Sequence, residues 1–267
     1  MKRQLSESEL LMLADLNRVE FWVDSSKWIP GTEVVYSHDT VFIDTAIEFP
    51  ASNLALTITI ESQESPVDFL ARVKDFFVTR KPNFSILLRG HADQPYIQYC
   101  KENKLLLTGE VPGMVLDEPV KLGKLPAGAS LRWVNDEKCL RDFGHIASEA
   151  FTDLGFPQQM GERFFLDASK VLNPYCILAV IYLGEEPASV TMAMLSHGIA
   201  GIYWVATARE LRGRGLGEYC TRQVGNAAFE LGARKVILQA SKFGEPVYRK
   251  IGYREITRYP WFICSSK

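Results

Sequence analysis

Residues 199–217 read Ile199-Ala-Gly-Ile-Tyr-Trp-Val-Ala-Thr-Ala-Arg-Glu-Leu-Arg-Gly-Arg-Gly-Leu-Gly217, and this stretch decides the fold. Its first half is an apolar run that predicts a buried strand. Its second half, a run of glycines and arginines, opens a helix. The first turn of a helix carries unpaired N–H groups and the positive end of the helix dipole, and both suit a phosphate. Gly213, Gly215 and Gly217 let a ligand come close to the backbone where a Cβ would block it. Arg212 and Arg214 add guanidinium groups that can hold phosphate oxygens in a planar, two-pronged manner. The stretch reads as a pyrophosphate cradle.

Two common nucleotide motifs fail here. A P-loop needs Lys and Ser or Thr after its last glycine, and Gly217 is followed by Glu218 and Tyr219. A dinucleotide fingerprint starting at Gly213 wants a small residue where Glu218 stands, and no acid follows at the spacing of a ribose contact. What survives is Arg212-x-x-Gly215-x-Gly217 directly after an apolar strand.

The flanks extend the pattern. Leu216, Tyr219, Cys220, Val224, Ala227, Ala228 and Leu231 recur at helical spacing, with Gly232 placed as a C-terminal cap. Residues 235–241 form a β-branched run, and residues 244–253 a short helix with Pro246 near its start and Gly252 at its end. Upstream, residues 176–183, 188–195 and 199–207 read as three strands, and 135–151 as an amphipathic helix capped by Asn135.

The motif, the helix behind it and the phrase Val247-Tyr-Arg-Lys-Ile-Gly-Tyr253 resemble the GNAT N-acetyltransferase superfamily over residues 128–267. The resemblance implies an α/β fold with a mixed sheet (the GNAT fold) in a C-terminal domain. It implies acetyl-CoA as cosubstrate, no metal, and direct attack by a primary amine of a small molecule, amino acid or peptide in a ternary complex. Val205, Ala206 and Thr207 match the strand-end backbone positions that contact the acyl carbonyl and pantetheine. The N–H groups of Arg212, Gly213, Arg214, Gly215, Leu216 and Gly217 match the pyrophosphate site. Tyr248 matches the tyrosine placed to protonate the leaving sulfur, and a phenol with a reference pKa of about 10 is protonated at neutral pH. Ser241 matches a position that often touches the pantetheine arm, and it also reads as a plain strand terminus.

The general base stays open. Strand 199–205 carries no Asp or Glu, so the family's frequent strand-borne glutamate is missing. His145, Asp142, Glu149, His197 and a water chain are the alternatives. Tyr203, Trp204, Phe151 and Phe156 read either as an aromatic acceptor pocket or as core. A non-catalytic acyl-CoA-binding or regulatory module that kept the fold is the alternative function, and a longer acyl chain is a third reading.

The chain of 267 residues has room for two domains. A Pro, Gly and Lys-rich stretch at 119–130 divides it into 1–126, a smaller α/β domain, and 127–267. In the first part, residues 54–60 and 84–89 read as strands and 67–79 and 95–103 as helices. Set 151 residues apart, Ile86 and Leu87 fall on Ile237 and Leu238, and Pro95 on Pro246. That echo suggests a degenerate GNAT-like half, as in tandem family members; an unrelated α/β domain is the other reading. Glu61-Ser-Gln-Glu-Ser-Pro66 stands where a cradle belongs, and its acids repel phosphate, so this half is expected not to bind CoA.

Hydrophobic residues make up 47% and charged residues 23%, with a net charge of −2, which argues against nucleic-acid and membrane partners. The first residues lack a signal-peptide core and start a helix instead, with Ser6 and Glu9 as a capping box and Leu5 and Leu10 as a staple. Five dispersed cysteines, without a Cys-x-x-Cys pair, suit reduced thiols and a cytoplasmic address. Oligomeric state is left open.

Overall fold

The structure is a computed structural model that describes residues 4–58 and 64–265. The first half of the chain forms α1 (Glu7–Lys27), β1 (Glu33–Ser37), β2 (Thr40–Asp44), β3 (Leu54–Thr57), α2 (Pro66–Phe77), β4 (Asn83–Leu87), α3 (Gln94–Glu102) and β5 (Leu106–Leu116). The second half forms β6 (Ala129–Trp133), α4 (Glu137–Phe151), α5 (Gln158–Glu162), α6 (Ala168–Val171), β7 (Cys176–Leu183) and β8 (Glu186–Ser196). It continues with β9 (Ile199–Thr207), α7 (Leu216–Glu230), β10 (Val236–Gln239), α8 (Glu245–Ile251) and β11 (Arg254–Ser265). Thr59 and Ile60 of the strand expected at 54–60, positions 61–63 of the acidic stretch, and residues 1–3 lie outside the described residues.

The chain packs as two compact units, Met1–Phe21 with Met114–Arg254, and Trp22–Gly113 with Glu255–Lys267. These units cut across the 1–126 and 127–267 division: residues 1–21 and 114–126 fall in the first unit with most of the second half, and residues 255–267 fall in the second. The unit carrying residues 199–217 is called the cradle unit, and the other the companion unit.

In the cradle unit the sheet runs β6-β7-β8-β9-β10, antiparallel except for the parallel pair β9 and β10, and α7 makes the crossover. One face buries Ala179, Ile181, Ala193, Ala200 and Ile202 under Leu216, Cys220, Val224 and Ala228 of α7 and Tyr248 and Ile251 of α8. The opposite face carries α1 and α4: Tyr203 stacks on Phe21, and the Tyr182 hydroxyl donates to Asp142 of α4 at 2.7 Å. The cap of α4 is Asp136, not Asn135. Its carboxylate accepts from the Cys139 N–H at 2.8 Å, because the residue with extended backbone directly before the helix is the one whose side chain can reach back to the free N–H groups. At the start of α1 the capping box forms in both directions, Ser6 N–H to Glu9 at 2.8 Å and Glu9 N–H to Ser6 at 3.2 Å.

In the companion unit the strand order is β1-β2-β3-β4-β11, with β3 and β4 parallel across α2 and the other pairs antiparallel. Aromatics fill its core. Phe69 of α2 stacks on Tyr96 of α3 at 4.2 Å, and Phe77 on Phe84 of β4 at 4.3 Å, beside Phe42, Ile97 and Phe262.

Candidate active site

The site is built where β9 outruns its neighbour. The parallel register pairs Ala200 with Val236, Gly201 with Ile237 and Ile202 with Leu238, and there it stops. β9 continues to Thr207, so residues 203–207 have no partner in β10 among the described residues. Parted parallel strands leave a crevice at their carboxyl ends, the usual ligand position in α/β sheets. On its other side β9 breaks register against β8, where the paired residues jump from Tyr203↔Met192 to Ala206↔Val190. Two residues, Trp204 and Val205, therefore oppose Thr191 alone. Trp204 has φ 49°, a left-handed value that a tryptophan holds only where packing compels it. Phe151 at 4.8 Å, Phe165 at 5.1 Å and Phe164 at 5.5 Å supply that packing.

Beyond β9 a single 3-10 turn, Arg209–Leu211, leads into the glycines. Gly213 and Gly215 have φ 76° and 77°, and a Cβ at either would strain the backbone although space around it is open. Gly217 is needed for a different reason: a Cβ there would stand 2.9 Å from the Thr207 hydroxyl oxygen. The N–H of Tyr219 is the first of α7 to find a carbonyl, that of Gly215 at 3.0 Å. No N–H from 213 to 218 reaches a carbonyl or side-chain acceptor among the described residues. Six donors thus stand without a protein acceptor, among the described residues, at the positive end of a 15-residue helix. That is a cradle a phosphate group fits.

The expected binding residues separate in role. Leu216 is buried and offers only its N–H, and Ala206 is buried in the β8 ladder. The Arg212 guanidinium bonds the Thr207 carbonyl at 3.1 Å and the Asp153 carboxylate, whereas Arg214 is exposed and has no side-chain partner among the described residues. Ser241 closes the turn into α8, its hydroxyl accepting from the Gly244 N–H at 3.1 Å and its carbonyl from Gly244 and Glu245 at 3.0 Å. Tyr248 is 8% exposed, its ring lies against Gly244, and its hydroxyl makes no protein hydrogen bond among the described residues. Burial raises its pKa above the ordinary phenol value, so it keeps its proton throughout the neutral range.

Glu218, the acid in the first turn of α7, does not oppose an anion there. It bonds Lys250 at 2.7 Å and Arg222 at 3.0 Å. Lys250 above all holds its carboxyl below the ordinary range; burial opposes this, and Arg222 adds to the lowering. The bond to Lys250 also fastens α8, and so Tyr248, to the cradle.

The proposed bases are scattered. His197 lies in the turn before β9, φ 52°, 3.4 Å from Glu20, and a strand length of roughly 27 Å separates it from Thr207. Asp142 is taken up by Lys138 and Tyr182, and His145 is exposed, 3.7 Å from Glu162. Tyr203 belongs to the core under α1, where its hydroxyl bonds Asn17 at 2.8 Å. Trp204, Phe151 and Phe156 cluster with Phe164 and Phe165, two residues the sequence reading passed over. It also passed over Asp153, an isolated acid whose importance depends wholly on the arginines opposite it.

Among the described residues no helix is long and apolar enough to cross a membrane, and no group of three or more His, Cys, Asp or Glu is placed to hold a metal ion. Residues 140–253 match the model of the acetyltransferase (GNAT) family. That segment is therefore a GNAT acetyltransferase domain. It is similar in structure to a GCN5-related N-acetyltransferase from Kribbella flavida, with a TM-score of 0.71, 17% identity and 92% of each chain covered. It is also similar to a GCN5-related N-acetyltransferase from Sphaerobacter thermophilus (TM-score 0.63, 13% identity, 99% of this chain and 95% of that one). A tandem GNAT protein from the clavulanic acid biosynthesis pathway gives a TM-score of 0.63 at 12% identity over 98% of this chain and 97% of that one. At such identities the likeness establishes the GNAT fold. Sequence comparison with curated proteins gives no match.

Proposed function

We propose that the protein is an acetyl-CoA-dependent N-acetyltransferase acting on a primary amine, and that its cradle unit holds the whole cofactor site. The observation that carries the reading is the row of six free N–H groups at 213–218, set beside the unpaired end of β9. Acetyl-CoA supplies an activated acyl carbonyl and a thiol leaving group. The N–H row with Arg214 binds its pyrophosphate, and backbone groups at Val205, Ala206 and Thr207 orient the acyl arm. The Tyr248 hydroxyl, protonated and free of protein partners, donates the proton that the departing sulfur needs. Ser241 supports this arrangement by shaping the turn under Tyr248.

The acceptor enters from the side of Trp204 and Phe151, and its proton leaves through water, since no acid or imidazole stands on β9. That last fact also favours the second reading, a binding module without turnover. In the proposed tandem arrangement, residues 1–126 and 127–267 are two copies of one plan and the first binds no CoA. The order β3-α2-β4-α3 repeats as β9-α7-β10-α8 with equivalent parallel pairs, Ile86 and Leu87 on Ala55 and Leu56 as Ile237 and Leu238 on Gly201 and Ile202. The test is thermal unfolding with acetyl-CoA, then thiol release with a mixed panel of amines. A hundredfold excess over the dissociation constant should add about 2.7 kcal/mol of stability. Stabilisation with thiol release supports the enzyme, stabilisation without it supports the module, and no stabilisation removes both.

A further inference from the structure

One carboxylate ties the entrance of the cradle to the end of β9. Asp153 lies in the 3-10 turn Thr152–Leu154 that follows α4. Its Oδ1 accepts from Arg209 Nη2 at 2.6 Å and its Oδ2 from Arg212 Nη1 at 2.5 Å. Arg212 Nε donates in turn to the Thr207 carbonyl at 3.1 Å. The preceding carbonyl, that of Ala206, accepts from the Ser189 hydroxyl at 2.8 Å, and Ser189 also meets the Thr207 hydroxyl at 2.9 Å. Both carbonyls that end β9 are therefore gripped, one from β8 and one through Arg212. Two residues before Asp153, Phe151 packs on Trp204 at the bulge. The same short segment thus braces β9 on both sides of Val205, with a ring at 204 and an ion pair acting at 207.

We propose that Asp153 is a positioning residue: it holds Arg212 on the Thr207 carbonyl as a strut that fixes the acyl-binding end of β9, and Arg214, not Arg212, meets the pyrophosphate. The inference rests on the acyl-CoA reading and divides the motif's two arginines by task. Arg212 has its Nε and one Nη committed and its charge matched by a carboxylate. Arg214 has neither constraint and sits among the free N–H groups. The ion pairs are open to water, with side-chain exposures of 59% for Arg209, 42% for Arg212 and 24% for Asp153, so they add little to stability. Their effect is orientation. A reacting group displaced by about 1 Å loses much of its rate advantage, and a strand end without a second strand beside it needs such a brace.

The test compares Asp153→Asn, Arg212→Gln and Arg214→Gln with wild type in the full chain. CoA and acetyl-CoA are titrated by calorimetry, and amide hydrogen exchange at 206–208 is followed without ligand. Arg214→Gln should weaken both ligands by the same factor, about tenfold. Asp153→Asn and Arg212→Gln should weaken acetyl-CoA about three- to tenfold more than CoA, since only the acyl group uses the strand end. In both variants the 206–208 amides should exchange faster, with unfolding temperatures close to wild type. Tighter binding of both ligands by Asp153→Asn, or equal weakening of both by Arg212→Gln, would make Arg212 a phosphate ligand and overturn the proposal. Unchanged exchange at 206–208 overturns the strut itself. If wild type binds neither ligand, the cofactor reading falls together with the role given to Arg214, whereas the exchange result still decides the strut.

Discussion

Two parallel strand pairs in this molecule share a plan and differ at one end. β9 and β10 pair over three residues, as do β3 and β4, and each pair is crossed over by a helix. After β10 the chain reads Ala240 and, four residues on, Gly244, leaving room for the Tyr248 ring. At the matching places after β4 stand Arg89 and Asp93, joined by two bonds of 2.9 and 2.7 Å and buried to 2% and 4% side-chain exposure. Thr57, at the end of β3, donates to Asp93 at 2.5 Å. Where the cradle unit has two small residues, the companion unit has a buried salt bridge. A charged pair is tolerated at such depth only where its polar atoms are bonded to one another and to their neighbours.

The comparison can be broken at several points. Gly215→Glu forces a side chain into a left-handed position and puts a carboxylate at the free N–H groups, so the acetyl-CoA-induced rise in melting temperature should disappear while the protein still unfolds cooperatively. A surviving rise would move the cradle elsewhere. Arg89→Met strips Asp93 of its ion-pair partner and should destabilise the protein by about 3–5 kcal/mol in urea unfolding. Titration of this variant sharpens the contrast: one CoA bound per chain is expected, and two would mean that the Arg89–Asp93 pair alone keeps CoA from the companion unit. Tyr248→Phe should lower thiol release about a hundredfold with cofactor affinity unchanged. Equal turnover would leave Tyr248 as packing only.

The smallest effect concerns Glu218. Its carboxyl is held below the ordinary range by Lys250 and Arg222, so its contribution is full above the unfolded value of about 4.3 and is lost as pH falls through the depressed folded value. Glu218→Gln should therefore cost about 0.5–1 kcal/mol at pH 7, and the gap to wild type should close in acid. A gap that persists below that range would assign the loss to packing instead.

What the residues announced in advance was local. The helix α7 and the helix of Tyr248 are runs of helix spacing, caps and glycines, and each formed where that chemistry places it, whereas Ser241, read as the end of a strand, lies in the turn after β10. The bulge at Trp204 escaped, because one extra residue in a strand leaves the apolar alternation looking intact while re-aiming a side chain. Asp153 escaped because its partners stand 56 and 59 positions away. The helices α5 and α6 have five and four residues, too short for periodicity to register. The hairpin of β1 and β2 turns on His38 at φ 52°, a conformation that residue does not advertise. The cap of α4 was misplaced by one position, between two neighbours of equal capping ability.

β11 has a consequence in time as well as in space. It pairs with β4, from Trp261↔Leu87 to Ser265↔Asn83, although 174 to 182 positions of chain separate the partners. During synthesis β4 leaves the ribosome early and its open edge must wait for those residues to be made. Throughout that interval Phe84, Ile86 and their neighbours lack Phe262 and Cys264, and the companion unit is an unfinished sheet with an unpaired strand. The half of the protein that is translated first is thus the half that must be completed last, and its nascent form is the one that most needs protection from aggregation.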